Sequence, residues 1–219
     1  MTSSGINRST DDLIQSIVSE LRPVPHSAMT RRLALGVGAG AMLSAFLLVS
    51  LLGARPDLAN VLALPSFWAK LAFTLMTAGV SLLVAARLGR PGSRTNILWI
   101  LPVPFVMYLP FGIWELAHTD PSQWGPLLLG HGWKQCTWLV LLLSIPVYAG
   151  LWWSFRRFAP TQVEVAGAVA GLSASAVAAL IYSIHCPANT AVFALVWYGL
   201  AFVVASLAGV FLGRRLLRW

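Results

Sequence analysis

The sequence predicts an all-α fold: a polytopic membrane protein, a six-transmembrane-helix bundle preceded by a short cytoplasmic N-terminal amphipathic helix. Three observations carry this. Of 219 residues, 58% are hydrophobic and only 10% charged, against roughly 25% charged in a soluble chain, so much of the surface must face lipid rather than water. Six stretches reach the length of about 20 mainly apolar residues that a spanning helix needs. The basic residues fall almost wholly on alternate connections between those stretches.

Residues 1–32 form a segment ahead of a membrane domain over 33–219. Within it, Thr10-Asp11-Asp12 starts a helix, with a hydroxyl cap and carboxylates where the helix dipole favours them. Pro23 closes it, giving a helix over 10–22. Leu13, Ile14, Ile17, Val18 and Leu21 recur at the spacing of one helical stripe. A helix this short is marginal alone, so the stripe must be buried on something. Asp11, Asp12 and Glu20 outnumber Arg22, which suits anionic headgroups poorly. A protein groove is the favoured partner, with the chain's own bundle as the alternative.

The spans are expected at about 33–54, 66–86, 96–117, 134–155, 162–184 and 188–213. Arg31-Arg32 before the first of them looks like a twin-arginine signal. The apolar run is longer than a signal's core, however, and no clean A-x-A site follows, so the span stays as an anchor. Lys70 in the second span and Glu115 in the third lie near the outer ends, where side chains snorkel to the interface. Pro102, Pro104, Pro110 and Pro146 predict kinks, although broken helices also line transport pathways. The fifth and sixth spans are separated by His185-Cys186-Pro187-Ala188-Asn189, a tight hairpin, because proline lacks an N–H and the run favours a turn. Gly36-x-x-x-Gly40, Gly167-x-x-x-Gly171 and Gly209-x-x-x-Gly213 let helix backbones approach closely, within one bundle or in a homo-oligomer.

Sorting the charges orients the spans. Arg8, Arg22, Arg31, Arg32, Arg87, Arg90, Arg94, Arg156, Arg157, Arg214, Arg215 and Arg218 share one side, and only Arg55, Lys70 and Lys134 lie on the other. The basic side is cytoplasmic by the positive-inside rule, so both termini of this bacterial inner-membrane protein are cytoplasmic. The net charge of +8 therefore reports topology and gives no reason to expect direct nucleic-acid binding.

No charged side chain sits at mid-depth, where transporters and pumps keep theirs. A small transporter or channel subunit, with the third span as pathway, is the alternative. There is no G-x-x-x-x-G-K-[ST], H-E-x-x-H, G-x-S-x-G or C-x-x-C motif, so an enzyme is unsupported. The chemistry that stands out is Cys136 and Cys186, both on the outer side together with His118, His131, His185, Glu115 and Asp120. Three readings stay open: reactive or redox-active thiols, a metal-responsive pair helped by His185, or a structural disulfide or inert buried thiols. No resident cofactor is implied, only transient heavy-metal binding.

Arg55-Pro56-Asp57-Leu58, Phe67-Trp68-x-Lys70, Cys136-x-Trp138, Ala159-Pro160-Thr161, His185-Cys186-Pro187, Trp197-Tyr198 and the closing Leu212-Gly213-Arg214-Arg215-Leu216-Leu217-Arg218-Trp219 occur in this order along six spans. Together with Thr10-Asp11-Asp12-Leu13-Ile14 they resemble the NrsF-type (negative regulator of sigma F) membrane anti-sigma factors of proteobacteria. The resemblance implies that the N-terminal segment holds an extracytoplasmic-function (ECF) sigma factor at the membrane, away from RNA polymerase. It also implies that Cys136 and Cys186 take part in sensing an external stress such as heavy metals or oxidants.

Overall fold

Each of the six apolar stretches is helical in the computed structural model of the chain, which describes residues 10–20, 26–53, 58–90, 95–130, 132–157 and 162–216. A helix satisfies every interior N–H and C=O within its own segment, the requirement that an apolar medium imposes. The elements are α1 (Thr10–Glu20), α2 (His26–Leu52), α3 (Leu58–Val61), α4 (Pro65–Leu88), α5 (Val103–Ala117), α6 (Trp124–Leu129), α7 (Trp133–Phe155), α8 (Val163–Ser183), α9 (Ala191–Phe193) and α10 (Gly199–Leu216). Two 3-10 turns, Thr95–Ile100 and Pro121–Gln123, precede α5 and α6, and a π segment, Ala194–Tyr198, joins α9 to α10. No strand occurs among the described residues. Six helical runs are long and apolar enough to cross a membrane: Met29–Leu52, Pro65–Leu88, Thr95–Ala117, Gln135–Phe155, Val163–Ser183 and Ala191–Arg215.

Two boundaries differ from expectation. Arg31 and Arg32 end the apolar run but not the helix, because arginine is a good helix former, and α2 therefore begins at His26. The third span is not one α-helix. Its first turns, Thr95–Ile100, are 3-10, and α5 starts only after Pro102. Pro102 and Pro104 have no N–H to continue an α-helical ladder from the preceding turns, and the ladder resumes where the Val106 N–H donates to Pro102 O at 3.0 Å.

The central helix is α8, which packs against α2, α4, α7 and α10. Its sequence is mostly Ala, Gly, Ser and Val, so its neighbours approach closely on several sides. A side chain on Gly167 or Gly171 would run into the backbone carbonyls of Gly209 and Ala205 on α10. Gly36 and Gly40 on α2 meet Gly150 and Val147 on α7 in the same way. All three small-residue motifs are thus used within the chain. The buried hydroxyls of Ser44, Thr74, Thr77, Ser81, Ser173, Ser175 and Ser183 each bond to a carbonyl of their own helix. They therefore need no water-filled path. The third span lies at the side of the bundle, with α5 against α4 and α9.

Candidate functional site

The two cysteines come from different elements and meet at one end of the bundle. Cys136 lies in the first turn of α7, which follows directly on Gly132, a residue held at φ 93°. This left-handed conformation suits glycine. Cys186 lies just past the end of α8, where the N–H groups of His185 and Cys186 both reach back to Tyr182 O at 2.9 Å. Both side chains are buried, about 1% exposed, and no disulfide joins them. They lie in hydrogen-bonding contact with one another, although 50 positions separate them in the chain.

Lys70 of α4 completes the arrangement and corrects the snorkelling expectation. Its side chain is fully buried. The ammonium donates to Ala188 O at 2.8 Å, to Asn189 Oδ1 at 2.9 Å and, at 3.4 Å, to the backbone carbonyl of Cys186 itself. The hairpin turns its oxygens inward, and three acceptors offset much of what burying an ammonium costs. Lys70 thus ties α4 to the hairpin that carries Cys186.

This surrounding favours a Cys186 thiolate. The hydrogen bond from the Cys136 thiol makes Cys186 more acidic, lowering its pKa to about 6; burial opposes the shift, and the Lys70 charge adds to it. As a neutral thiol, Cys186 instead points its hydrogen at Ala188 O, a long contact of 3.7 Å. The fully buried Tyr198 closes the far side from the π segment. A π turn leaves carbonyls out of the ordinary ladder, and such turns recur at functional sites. Here Thr137, next to Cys136, donates to Trp197 O at 3.2 Å.

Glu115 is also turned inward rather than snorkelling. Its Oε2 accepts the Val192 N–H at 3.0 Å and so caps the start of α9, where no side chain of Thr190 does so. Over this end lies α6, which the sequence reading did not foresee. The Trp197 indole N–H donates to Leu128 O at 2.7 Å, and the Phe193 ring packs under Gly130. A cleft of about 480 Å³, lined in part by Thr119, Gln123, Pro187 and Ala188, borders the hairpin beneath α6.

Neither His118 nor His185 joins the thiols in a metal-type cluster. His118 is exposed, with Nδ1 2.8 Å from Trp114 O. His185 is half-buried, its ring 6.2 Å from that of Tyr182 and its Nδ1 without a hydrogen-bond partner. Among the described residues, no three His, Cys, Asp or Glu side chains cluster as a metal site requires. His131 lies outside the described residues. A thiolate beside a thiol can lose two electrons and one proton to become a disulfide, or grip one soft cation with two sulfurs.

The predicted partner-binding residues form a separate feature. Leu13, Ile14, Ile17 and Val18 lie on α1, each about half exposed or more. Their stripe is the apolar face that the spacing predicts, uncovered. Leu21 lies outside the described residues, as do Arg22, Pro23-Val24-Pro25, Arg55-Pro56-Asp57 and Ala159-Pro160-Thr161. No cue within any one sequence window marks the inward turn of Lys70. Its one available signal was a lone cation inside an apolar span whose end also carries the cysteines.

Comparison with known proteins gives a concordant result. Residues 17–219 match the family NrsF, described as "Negative regulator of sigma F". The chain is 39% identical over 216 residues to the "Probable anti-sigma-F factor NrsF" of Azospira oryzae, covering 96% of this chain and 99% of that one. It is 37% identical over 213 residues to the "Anti-sigma-F factor NrsF" of Caulobacter vibrioides, again covering 96% and 99%. No solved structure matches it.

Proposed function

The chain belongs to the NrsF family of negative regulators of sigma F, and on that premise we propose that it is a multi-pass inner-membrane anti-sigma factor with a thiol-gated grip on its partner. It holds an ECF-type sigma factor through the cytoplasmic segment that contains α1 and releases it when Cys136 and Cys186 are oxidised or capture a soft metal. The near full-length similarity to two anti-sigma-F factors carries the first half of this reading. The contact of two reduced thiols beside Lys70 carries the second. Charge placement supports the orientation, with Arg32, Arg156, Arg157 and Arg214 at the end away from the thiols.

The partner-binding step uses the stripe of Leu13, Ile14, Ile17, Val18 and Leu21, laid into an apolar groove of the sigma factor. Its acidic flank suits a basic groove rim. The sensing step starts from a hairpin held by Lys70. A two-electron oxidant takes the proton-sharing pair to a disulfide, or a soft cation displaces the shared proton and binds both sulfurs. Either event cancels the negative charge that the Cys186 thiolate places near the Lys70 ammonium, and so alters what holds α4, α7 and the α8–α9 hairpin together. Shifting the bundle from 1:99 to 99:1 between holding and releasing states needs about 5.5 kcal/mol of differential stabilisation. A disulfide contributes typically about 2–4 kcal/mol, roughly a third to three quarters of that shift.

The test is a Cys136→Ser, Cys186→Ser double variant expressed with its sigma factor and a reporter of sigma-dependent transcription. Repression is expected to persist while induction by metals and oxidants disappears. Full induction in the double variant would contradict the sensing assignment.

A further inference from the structure

We propose that the end of the α2–α7 crossing away from the thiols binds one anionic phospholipid, its headgroup phosphate among Arg32, Arg156 and Arg157 and one acyl chain along the adjoining apolar groove. The inference rests on reading the six long helices as membrane spans and is independent of the thiol chemistry.

The headgroup end is a cleft of about 250 Å³ lined by Arg32, Trp153, Arg156 and Arg157. Among the described residues, no carboxylate lines it. Three guanidinium groups converging on one small space repel one another unless an anion joins them. Arg32 is already held for the task. Its guanidinium lies 3.9 Å from the centre of the Trp153 ring, its Nη2 donates to Trp153 O at 3.2 Å, and its own carbonyl accepts from Ser154 Oγ at 3.2 Å. Yet its Nε is buried and has no hydrogen-bond partner. Unmet buried donors are rare, and those of a cation more costly still. Arg156 is likewise steadied, with its guanidinium 5.1 Å from the Trp152 ring. Phosphate oxygens meet such forks of N–H groups in pairs.

The adjoining groove decides the class of ligand. A second cavity of about 460 Å³, lined in part by Leu35, Gly36, Gly40, Leu43, Pro146 and Trp153, shares Trp153 with the cationic cleft. The glycines that bring α2 and α7 together leave this furrow along their crossing. It runs from the guanidinium groups along the exposed apolar face of the α2–α7 pair. A free phosphate or an acidic protein segment would use only the first cavity, whereas a phospholipid fills both. Basic pockets between spanning helices on the cytoplasmic side take up anionic headgroups in this manner.

The test uses the full chain, reconstituted in lipid discs of equal phosphatidylglycerol and phosphatidylcholine and released for native mass spectrometry. One phosphatidylglycerol is expected to stay bound, preferred about tenfold or more over phosphatidylcholine, as one charge-assisted contact provides. The preference is expected to fall to about parity in Arg32→Gln, Arg156→Gln, Arg157→Gln, to persist in Arg87→Gln, Arg90→Gln, and to resist excess inorganic phosphate. Equal retention of the two lipids by the unmodified chain would overturn the proposal without any variant. An undiminished preference in the triple variant, or displacement by inorganic phosphate, would overturn it too. A chain that fails to enter the discs would contradict the spans themselves, a result distinct from loss of the site alone.

Discussion

Replacing Lys70 by methionine keeps the length and apolar stem of the side chain and removes only the ammonium. That ammonium supplies two short hydrogen bonds, to Ala188 O at 2.8 Å and Asn189 Oδ1 at 2.9 Å, and one long one to Cys186 O. Leaving a buried acceptor without its donor costs about 1–3 kcal/mol. Ala188 and Asn189 are only partly buried, so the lower half of that range applies to each. Removal of a buried charge returns part of the loss. The net expectation is a destabilisation of about 2–3 kcal/mol, read as a lower thermal midpoint in detergent micelles. The substitution also removes a cation near Cys186, one of the groups that lower its pKa to about 6. The thiolate absorbance near 240 nm, taken as a difference against Cys186→Ser, is therefore expected to titrate about one unit or more higher in Lys70→Met. An unchanged titration together with an unchanged midpoint would refute the role given to Lys70.

Other expectations follow from the same geometry. Cys186 is more acidic folded, near 6, than in an unfolded chain, near 8.5, so the unfolded state binds the extra proton between those values. Stability from this group is full above about pH 8.5, falls through that window and is gone below about 6; melting at both pH values should show it, and Cys186→Ser should lack it. Gly209→Val drives a side chain into the Gly167 carbonyl and should cost about 3 kcal/mol or more, measured as a drop in thermal midpoint. Ile17→Asp puts a charge on the exposed stripe of α1 and should raise sigma-dependent transcription without inducer while leaving the amount of protein in the membrane unchanged. Persisting repression would contradict the α1 contact.

Most of the frame was legible because apolar stretches of spanning length admit one solution, the helix. The α1 stripe was legible for a similar reason, since Leu13, Ile14, Ile17 and Val18 keep a helical period. The start of α2 was misjudged at Arg31-Arg32 because charge ends a hydrophobic window but not a backbone ladder. The 3-10 opening of the third span was half visible, in Pro102 and Pro104, yet those prolines fit a kink equally well. Lys70 was misread because its direction depends on carbonyls of Cys186 and Ala188, more than 100 positions away. The contact between the two thiols was foreshadowed only as far as a shared end of the bundle, since bringing Cys136 against Cys186 requires the packing of α7 on α8. The π segment that positions Tyr198 has no mark of its own in Ala194–Tyr198.

The central claim is that one chain couples a grip on a sigma factor to the state of two thiols. Affinity purification of the full chain from membranes, with and without a brief pulse of a thiol oxidant such as diamide, tests it most directly. A sigma factor is predicted to co-purify from reduced membranes, to be lost after the pulse, and to stay bound after the pulse when Cys136 and Cys186 are both serine. A partner retained equally in all three preparations, or absent from the reduced one, would contradict the account.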